Sequence, residues 1–406
     1  MPPAARLPVL FAAAGHFLHH VLTALFLTLA IVLERAWEKP YAEIIALWTI
    51  GAALIGLGAP AAGWLADRFG HARMMAVVFL GNGAASVEAR LVAGPAGMGA
   101  ALAGIGLFGA LYHPVALAWV SMAAPVAIRG RVMGWVGIAG SIGVALSAVI
   151  AGGLAALAGW RMAMIIPGIV TMAGGVALVM AMLAGRVAPV APALRATGPG
   201  APPDDPRAPV GVLVVLAVTF TLGSVAYTAF STALPKWLSD SLALDATDPA
   251  RLGLVVGATL LMGSVGQLIG GRLADRLPFK WLYAATFALK FVPLALAAMV
   301  GGPVAVLLAA VIGLTFDMSA PVENLLLARY SSGRRRGLAF GMKFAIGFAA
   351  APVGVNMVAW AYAQGAGGAP MLFAILAAMT AVMVAAALLL PREGAPPARR
   401  VLAPAE

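Results

Sequence analysis

The chain has 406 residues and a net charge of +11, with 62% apolar and only 10% charged side chains, where soluble domains have about 45–50% and about 25%. So few charges cannot cover a water-exposed surface, which excludes a soluble protein, and the positive charge indicates basic loops on one face of a membrane rather than a nucleic-acid partner. The absence of cysteine excludes disulfides, thiolate metal sites and a cysteine nucleophile.

Long apolar stretches follow one another along the whole chain. A membrane-spanning helix needs about 20 mostly apolar residues, and twelve stretches meet that requirement. The first is too long for a signal peptide, and no small-residue cleavage site follows it before Glu34 and Arg35. We therefore predict an all-α membrane protein with twelve transmembrane helices, at residues 8–33, 42–62, 74–93, 97–123, 132–157, 160–184, 210–233, 252–270, 281–300, 303–328, 338–362 and 370–390.

The basic residues between these stretches are distributed unevenly. If the N-terminus is cytoplasmic, Lys290 and Lys343 lie within spans, and most of the other lysines and arginines fall on the cytoplasmic side. By the positive-inside rule we predict that both termini are cytoplasmic, in a bacterial inner membrane. The opposite side carries Arg35, Lys39, Arg90, Arg161, Lys236 and Arg251.

The chain also contains an internal repeat. Residues 186–209 are rich in Pro, Gly and Ala and predict a flexible cytoplasmic linker between two halves, 1–185 and 210–406. Duplicated six-helix units are an architecture of secondary transporters, so we predict two pseudo-symmetric six-helix bundles. The motifs that recur at a nearly constant offset are Gly63–Arg68 at Gly271–Arg276, Pro114–Val115 at Pro321–Val322, and Arg129–Gly134 at Arg336–Gly341.

The loop between spans two and three carries a family resemblance. Residues Gly63 to Arg73 resemble the G-x-L-a-D-r-x-G-r-k loop of the major facilitator superfamily. The resemblance covers the whole chain, through the number of spans, the central linker and the second copy of the loop at Gly271. It implies the major facilitator fold and a transporter whose two halves rock about a central site.

In similar loops, ion pairs lock one conformation and are released in the other. The resemblance therefore implies that Asp67 pairs with Arg129 or Arg131. It implies an equivalent pair between Asp275 and Arg334–Arg336 in the second half. The alternative is a tight basic turn without a switching role. The gating residues implied in this way are Gly63, Asp67, Arg68, Arg73, Arg129, Arg131, Asp275, Arg276 and Arg336.

Polar side chains at membrane depth are costly, so they are candidates for function. Histidine exchanges protons near neutral pH, and four of the five histidines lie in spans one and four. A single buried histidine is ordinarily neutral and bonded to a helix carbonyl, but three within five residues favour a function. The resemblance implies that spans one, four, seven and ten line the central cavity. The predicted substrate and proton site consists of His16, His19, His20, His113, Tyr227, Asp317, Glu323, Asn324 and Lys343.

The charges within spans nine to eleven are expected to form ion pairs. Asp317 is expected to pair with Lys343 across spans ten and eleven. Lys290, in the middle of span nine, needs a carboxylate partner, for which Asp317 is also a candidate. Glu323 lies nearer the cytoplasm and is expected to pair with Arg329 or Lys343.

A narrower resemblance concerns spans one and four. Gly15–His20 is similar to the S-H-L-x-N-D signature of fosmidomycin-resistance-type transporters, and Leu111–Pro114 is similar to their F-H-P-E segment. Two carboxylates of that pattern are replaced here by His20 and Val115, so a proton site built from them is absent. His16, His20 and His113 could in principle bind a transition metal, but no carboxylate lies beside them in sequence, and we predict no metal.

The chain carries no P-loop and no H-E-x-x-H motif, so we predict a transporter rather than an enzyme. The prediction is a monomeric, cofactor-free secondary transporter in the lipid bilayer that exports a small drug-like or organic anionic solute in exchange for protons. The alternatives are an uptake symporter for a metabolite such as an organic acid, a non-transporting receptor and a lipid-acting membrane enzyme.

Overall fold

The structure is a computed structural model that describes residues 1–125, 128–188, 210–244, 248–331 and 336–391, without the side chains of residues 3–4, 336–338 and 344. Most of the predicted linker, 189–209, lies outside the described residues. Within the described ranges all regular structure is helical. The helices are α1 (Pro3–Ala36), α2 (Tyr41–Ala46), α3 (Trp48–Phe69), α4 (His71–Val87), α5 (Pro95–Gly109), α6 (Tyr112–Ala123), α7 (Arg129–Leu183), α8 (Val210–Leu242), α9 (Pro249–Ala274), α10 (Phe279–Ala297), α11 (Val304–Arg329), α12 (Arg336–Ala363) and α13 (Gly368–Leu388).

The predicted all-α membrane protein is confirmed, because ten helical segments of the described chain are long and apolar enough to cross a membrane. Two helices account for the difference from the twelve predicted spans. Helix α7 contains predicted spans five and six in 55 residues, and it is interrupted at Gly159, whose φ of 83° and ψ of 163° are not helical. Only glycine adopts such a φ readily. Helix α4, which contains predicted span three, has 17 residues.

Predicted span four is divided into two helices near the centre of the first half. Helix α5 ends at Gly109 and α6 begins at Tyr112. Pro114 has no amide hydrogen to donate to the carbonyl of Ala110, so a continuous helix loses a bond at this point. The interruption places His113 at the beginning of α6, facing α1.

The two halves contact each other through glycines. On α7 and α9, a Cβ atom added to Gly253 would lie 3.3 Å from the Cα of Gly152, and one added to Gly257 would lie 2.8 Å from the carbonyl oxygen of Ala145. On α3 and α12, a Cβ on Gly56 would lie 2.8 Å from the carbonyl oxygen of Phe348. Small residues permit this approach of backbone to backbone, the usual basis of close helix packing in membranes.

The buried apolar side chains join the two halves at one end of the bundle and form separate clusters at the other. At the end that carries Glu34, here called the Glu34 end, one cluster contains residues of both halves, among them Ile44 and Leu238. There Lys236 of α8 lies 3.0 Å from the Glu34 carboxylate of α1, and the Tyr41 hydroxyl of α2 donates a hydrogen bond of 3.1 Å to the carbonyl of Thr232. At the opposite end, here called the Asp67 end, each half has an apolar cluster of its own.

Replacement of Gly253 by valine should destabilise the protein by about 1–3 kcal/mol, since the new side chain would press on the α7 backbone. The matched control is Gly271→Val on the same helix, where a Cβ meets no atom within 4 Å. Thermal unfolding in detergent, followed by tryptophan fluorescence, measures both variants. Equal unfolding temperatures for the two variants would contradict a tight contact at Gly253.

Candidate functional site

A cavity of about 150 Å³ lies between the two halves. Its wall combines α1 and α7 of the first half with α8 and α9 of the second half. Pockets for drug-sized ligands measure about 300–1,000 Å³, so this cavity suits a smaller solute. Its polar lining residues are His20, Thr28, Ser147, Tyr227 and Ser231.

Four histidines lie together at one side of this cavity. His16 and His20 are one turn apart on α1, and their Nε2 atoms are 3.2 Å apart. The ring centre of His113 lies 5.2 Å from that of His16 and 5.6 Å from that of His20. The rings of His19 and His113 are separated by 5.3 Å. The structure therefore brings together the four histidines that the sequence placed in spans one and four.

Neighbouring residues hold the rings of this histidine cluster. Tyr112 stacks on His16 and on His19, with 5.1 Å between ring centres in both pairs, and its hydroxyl donates a 2.7 Å hydrogen bond to the carbonyl of Ala12. The His16 Nδ1 lies 2.6 Å from the carbonyl oxygen of Val136 on α7. Gly140 leaves room for the His16 ring, because a Cβ there would lie 2.5 Å from Nε2.

Asn82, which the sequence alone did not identify, lies beside His19. Asn82 is 1% exposed and His19 is 4% exposed. The His19 Nδ1 and both amide atoms of Asn82 have no hydrogen-bond partner within the described chain. A Cβ atom added to Gly109 would lie 3.4 Å from the His19 Nδ1 and 3.8 Å from the Asn82 Oδ1. An amide in the middle of an apolar span was the signal that could have identified Asn82.

A second polar group lies in the C-terminal half. Lys343 of α12 forms an ion pair of 3.0 Å with Glu323 and donates a hydrogen bond of 2.8 Å to the Oδ1 of Asn324. The Tyr283 hydroxyl lies 2.8 Å from the Thr219 hydroxyl and 3.5 Å from the Glu323 carboxylate. Of the two partners expected for Glu323, the structure shows Lys343.

The expected pair between Asp317 and Lys343 is wrong. Asp317 and Glu323 are six residues apart on α11, so they point in different directions around the helix. Lys343 therefore contacts only Glu323. Asp317 faces α9, where a Cβ on Gly263 would lie 3.0 Å from its Cγ. The side-chain amide of Gln267 interacts with the Asp317 carboxylate.

Lys290 lies among aromatic rings instead of beside a carboxylate. The side chain is 1% exposed, and among the described residues no carboxylate oxygen lies within 4.0 Å of its ammonium group. The ammonium lies 4.3 Å from the centre of the Phe316 ring and 5.1 Å from that of Phe287. The expected direct pair with Asp317 is therefore replaced by cation–π contacts.

The residues of the predicted gating loop lie at the Asp67 end. Asp67, Arg68 and Arg73 are exposed, and the described side chains include no ion pair within 4.0 Å between Asp67 and either Arg129 or Arg131. The Arg68 guanidinium lies 5.6 Å from the centre of the Trp64 ring.

The implied partners of Asp275, Arg334–Arg336, lie outside the described side chains. Asp275 and Arg276 themselves are exposed at the same end of the bundle. The geometry of the second gating loop therefore stays a prediction.

At the Glu34 end lies a charged network that was not predicted from the sequence. Lys236 lies 3.0 Å from Glu34 and 3.1 Å from Asp240. The ring of Tyr41 lies 5.1 Å from that of Tyr362 on α12. Hydropathy places these residues at the ends of spans, and no sequence pattern indicates that the ends of α1 and α8 meet.

A comparison with family models gives one match. The model described as Major Facilitator Superfamily matches residues 10–247 and again residues 215–405. No curated protein matches the chain.

Solved structures of transporters share the fold. An inward-facing and occupied bacterial homolog of the human lysosomal transporter Spinster has a TM-score of 0.72 at 13% identity, covering 96% of this chain and 95% of that one. A variant of the nucleoside transporter NupG has a TM-score of 0.71 at 15% identity, covering 94% of this chain and 99% of that one. A variant of the peptide transporter POT, in complex with sulfate, has a TM-score of 0.71 at 15% identity, with 93% of each chain covered.

Replacement of Lys236 by methionine should loosen the Glu34 end, since it removes the ion pair that joins α1 to α8. A partly exposed pair is worth about 1 kcal/mol, which corresponds to about a five-fold change in an equilibrium constant. The chain has no cysteine, so a single Ser231→Cys reporter in the cavity can be labelled with an impermeant maleimide added at the Glu34 end. We expect labelling to accelerate about five-fold.

The matched control for this experiment is Lys39→Met. Lys39 lies at the same end and forms a 3.4 Å ion pair with Glu43, but both residues belong to the first half. Faster labelling in the control, or no acceleration in the Lys236 variant, would show that the Lys236–Glu34 pair does not hold this end closed.

Proposed function

The chain belongs to the Major Facilitator Superfamily and is a multi-pass membrane transporter, and we propose that it exports a small solute in exchange for protons. The observation that carries the proposal is a cavity between two halves whose apolar side chains meet at the Glu34 end and form separate clusters at the Asp67 end. Halves that are joined at one end only are what alternating access requires, with rocking of one half against the other. The glycine contacts between α7 and α9 provide a surface for that motion.

The position of the charges supports an orientation for this conformation. The positive-inside rule makes the Asp67 end cytoplasmic, so the conformation described here faces inward. Opening of the Glu34 end would require separation of Lys236 from Glu34. We further propose that Asp67 pairs with Arg129 or Arg131 once the Asp67 end closes.

The lining and the volume of the cavity support the proposal that the solute is a small anion. Its lining contains hydroxyl groups and one imidazole but no carboxylate among the described residues. Its volume of about 150 Å³ favours an organic anion smaller than most drugs. The narrower resemblance to fosmidomycin-resistance-type transporters stays a prediction, and it carries no substrate to this chain.

Two carboxylates of the second half, Asp317 and Glu323, support the proposal of proton coupling. Asp317 faces Gln267 of α9, and Tyr227 of α8 and Lys290 of α10 are close enough to influence it electrostatically. Because no lysine or arginine forms an ion pair with it in the described structure, Asp317 can gain and lose a proton without breaking a salt bridge.

Glu323 is surrounded differently, by the ion pair with Lys343 and by the Tyr283 hydroxyl. Protonation of Glu323 would release Lys343 of α12. We therefore propose Asp317 as the main proton carrier and the Glu323–Lys343 pair as a link between its helix and α12.

Transport is tested with purified protein in liposomes that contain a pH-sensitive dye. Addition of small organic anions should drive a proton flux through the wild type. Asp317→Asn should lower that flux about a hundred-fold or more, the range for loss of a proton-transfer group. The matched control, Glu88→Gln, replaces an exposed carboxylate at the end of α4 and should leave the flux unchanged.

Each outcome of this assay decides a part of the proposal. Solute movement without proton flux would retain a transporter and reject proton coupling. Proton flux in the same direction as the solute would reject exchange in favour of symport. If no anion of the panel moves, the proposed substrate class is wrong.

We also propose twelve spans with both termini cytoplasmic. A single cysteine introduced at Glu406 of the otherwise cysteine-free chain should react with an impermeant maleimide only after the cell membrane is opened. A cysteine at Lys39, at the Glu34 end, serves as the opposite control and should react in intact cells. Reaction of both cysteines from the same side would contradict the even number of spans.

A further inference from the structure

We propose that His16, His20 and His113 bind a divalent transition-metal ion such as Zn²⁺ beside the central cavity. One nitrogen of each ring can be chosen so that all three lie within 4.8 Å of one another. His16 and His20 come from α1, whereas His113 comes from the beginning of α6. The proposal concerns binding alone and does not depend on the proposed export.

One of the three nitrogen–nitrogen distances already fits the coordination of zinc. Zinc is bound by imidazole nitrogen at about 2.0–2.1 Å in a tetrahedral arrangement, which separates two ligand nitrogens by about 3.3 Å. The Nε2 atoms of His16 and His20 are 3.2 Å apart. Two of the three ligands therefore already have the required separation, and small side-chain rotations of His113 would complete the set.

The hydrogen bond behind His16 fixes its tautomer. A carbonyl oxygen only accepts, so the His16 Nδ1, which lies 2.6 Å from the carbonyl of Val136, carries the hydrogen. The Nε2 then presents its lone pair toward His20. A histidine that ligates a metal usually donates its other nitrogen to a carbonyl or carboxylate in this way.

The neighbouring groups also favour a metal site. Tyr112 stacks on the His16 ring and anchors its own hydroxyl on Ala12, which keeps the ring in place. Three histidines suffice for zinc when a fourth position stays open, so the missing carboxylate is no obstacle. Imidazole ligands favour Zn²⁺, Co²⁺, Ni²⁺ and Cu²⁺ over Mg²⁺ and Ca²⁺.

The site borders the space that a solute would occupy. His20 lines the cavity between the halves, so the fourth ligand can be water or a carboxylate group of a small organic acid. The ion can thus arrive as a free cation or as a complex with such an acid. In both cases the same three histidine nitrogens bind the ion.

Calorimetric titration of the intact chain with Zn²⁺, in detergent and without a polyhistidine tag, tests the site. The wild type should bind one ion per chain with micromolar or higher affinity. His20→Gln and His113→Gln should each weaken binding about ten-fold or more. His71→Gln changes the one histidine outside the cluster and should leave binding unchanged.

A spectroscopic measurement keeps the test independent of the stability of these variants. Co²⁺ bound to the wild type should show the strong visible bands of a tetrahedral ion, which an octahedral surface site lacks. Gly140→Ala would crowd the His16 ring and should weaken binding. Its matched control, Gly137→Ala on the same helix, meets no atom within 4 Å and should not.

The proposal is overturned if the wild type binds zinc neither as the free ion nor as a complex, if the Co²⁺ spectrum is octahedral, or if the His20 and His113 variants bind like the wild type. Titration with Zn²⁺ alone and with Zn²⁺ premixed with citrate separates the two sources. Binding in either arm supports the site, and binding in neither overturns it. The two proposals are tested separately. Zinc can bind even if no organic anion is transported, and organic anions can be transported even if no zinc binds.

Discussion

The contact of backbone with backbone between α7 and α9 is the constraint on which the rest of the structure depends. Gly152 and Gly253 lie so close that a Cβ on either would reach the other's Cα at 3.2–3.3 Å. Apolar side chains gain little free energy when they move from lipid into a helix interface, so helix association in a membrane relies on close packing of this kind. The contact leaves a cavity beside it, where α1 and α8 bring polar side chains between the halves.

The two ends of the bundle differ in what joins the halves. At the Glu34 end they are joined by a shared apolar cluster, the Lys236–Glu34 pair and the Tyr41 hydrogen bond. At the Asp67 end the apolar clusters of the two halves are separate. Polar contacts of modest strength are suited to a gate, since they can break and form again, whereas the packed glycines are suited to a pivot.

Hydropathy and charge predicted the class of fold because the membrane imposes a length and a composition on every span. They could not predict which side chains meet. Asp317 and Glu323 were both assigned as partners of Lys343, and only the rotation of α11 about its axis selects Glu323. The network of Lys236 joins residues from two halves at the ends of spans, where periodicity carries no information. Asn82 was missed because its span was not among those that the resemblance assigns to the central cavity.

The histidine cluster gives the first half a chemistry that differs from that of the second half. Tyr112, Val136 and Gly140 hold the ring of His16, one of the three histidines that offer nitrogen ligands. Neutral nitrogen donors at this spacing favour a borderline metal ion over a hard one. A bound cation would in turn attract an anionic solute to a cavity whose described lining has no carboxylate. With both proposals, the first half would determine which solute binds, while Asp317 of the second half would carry the coupling proton.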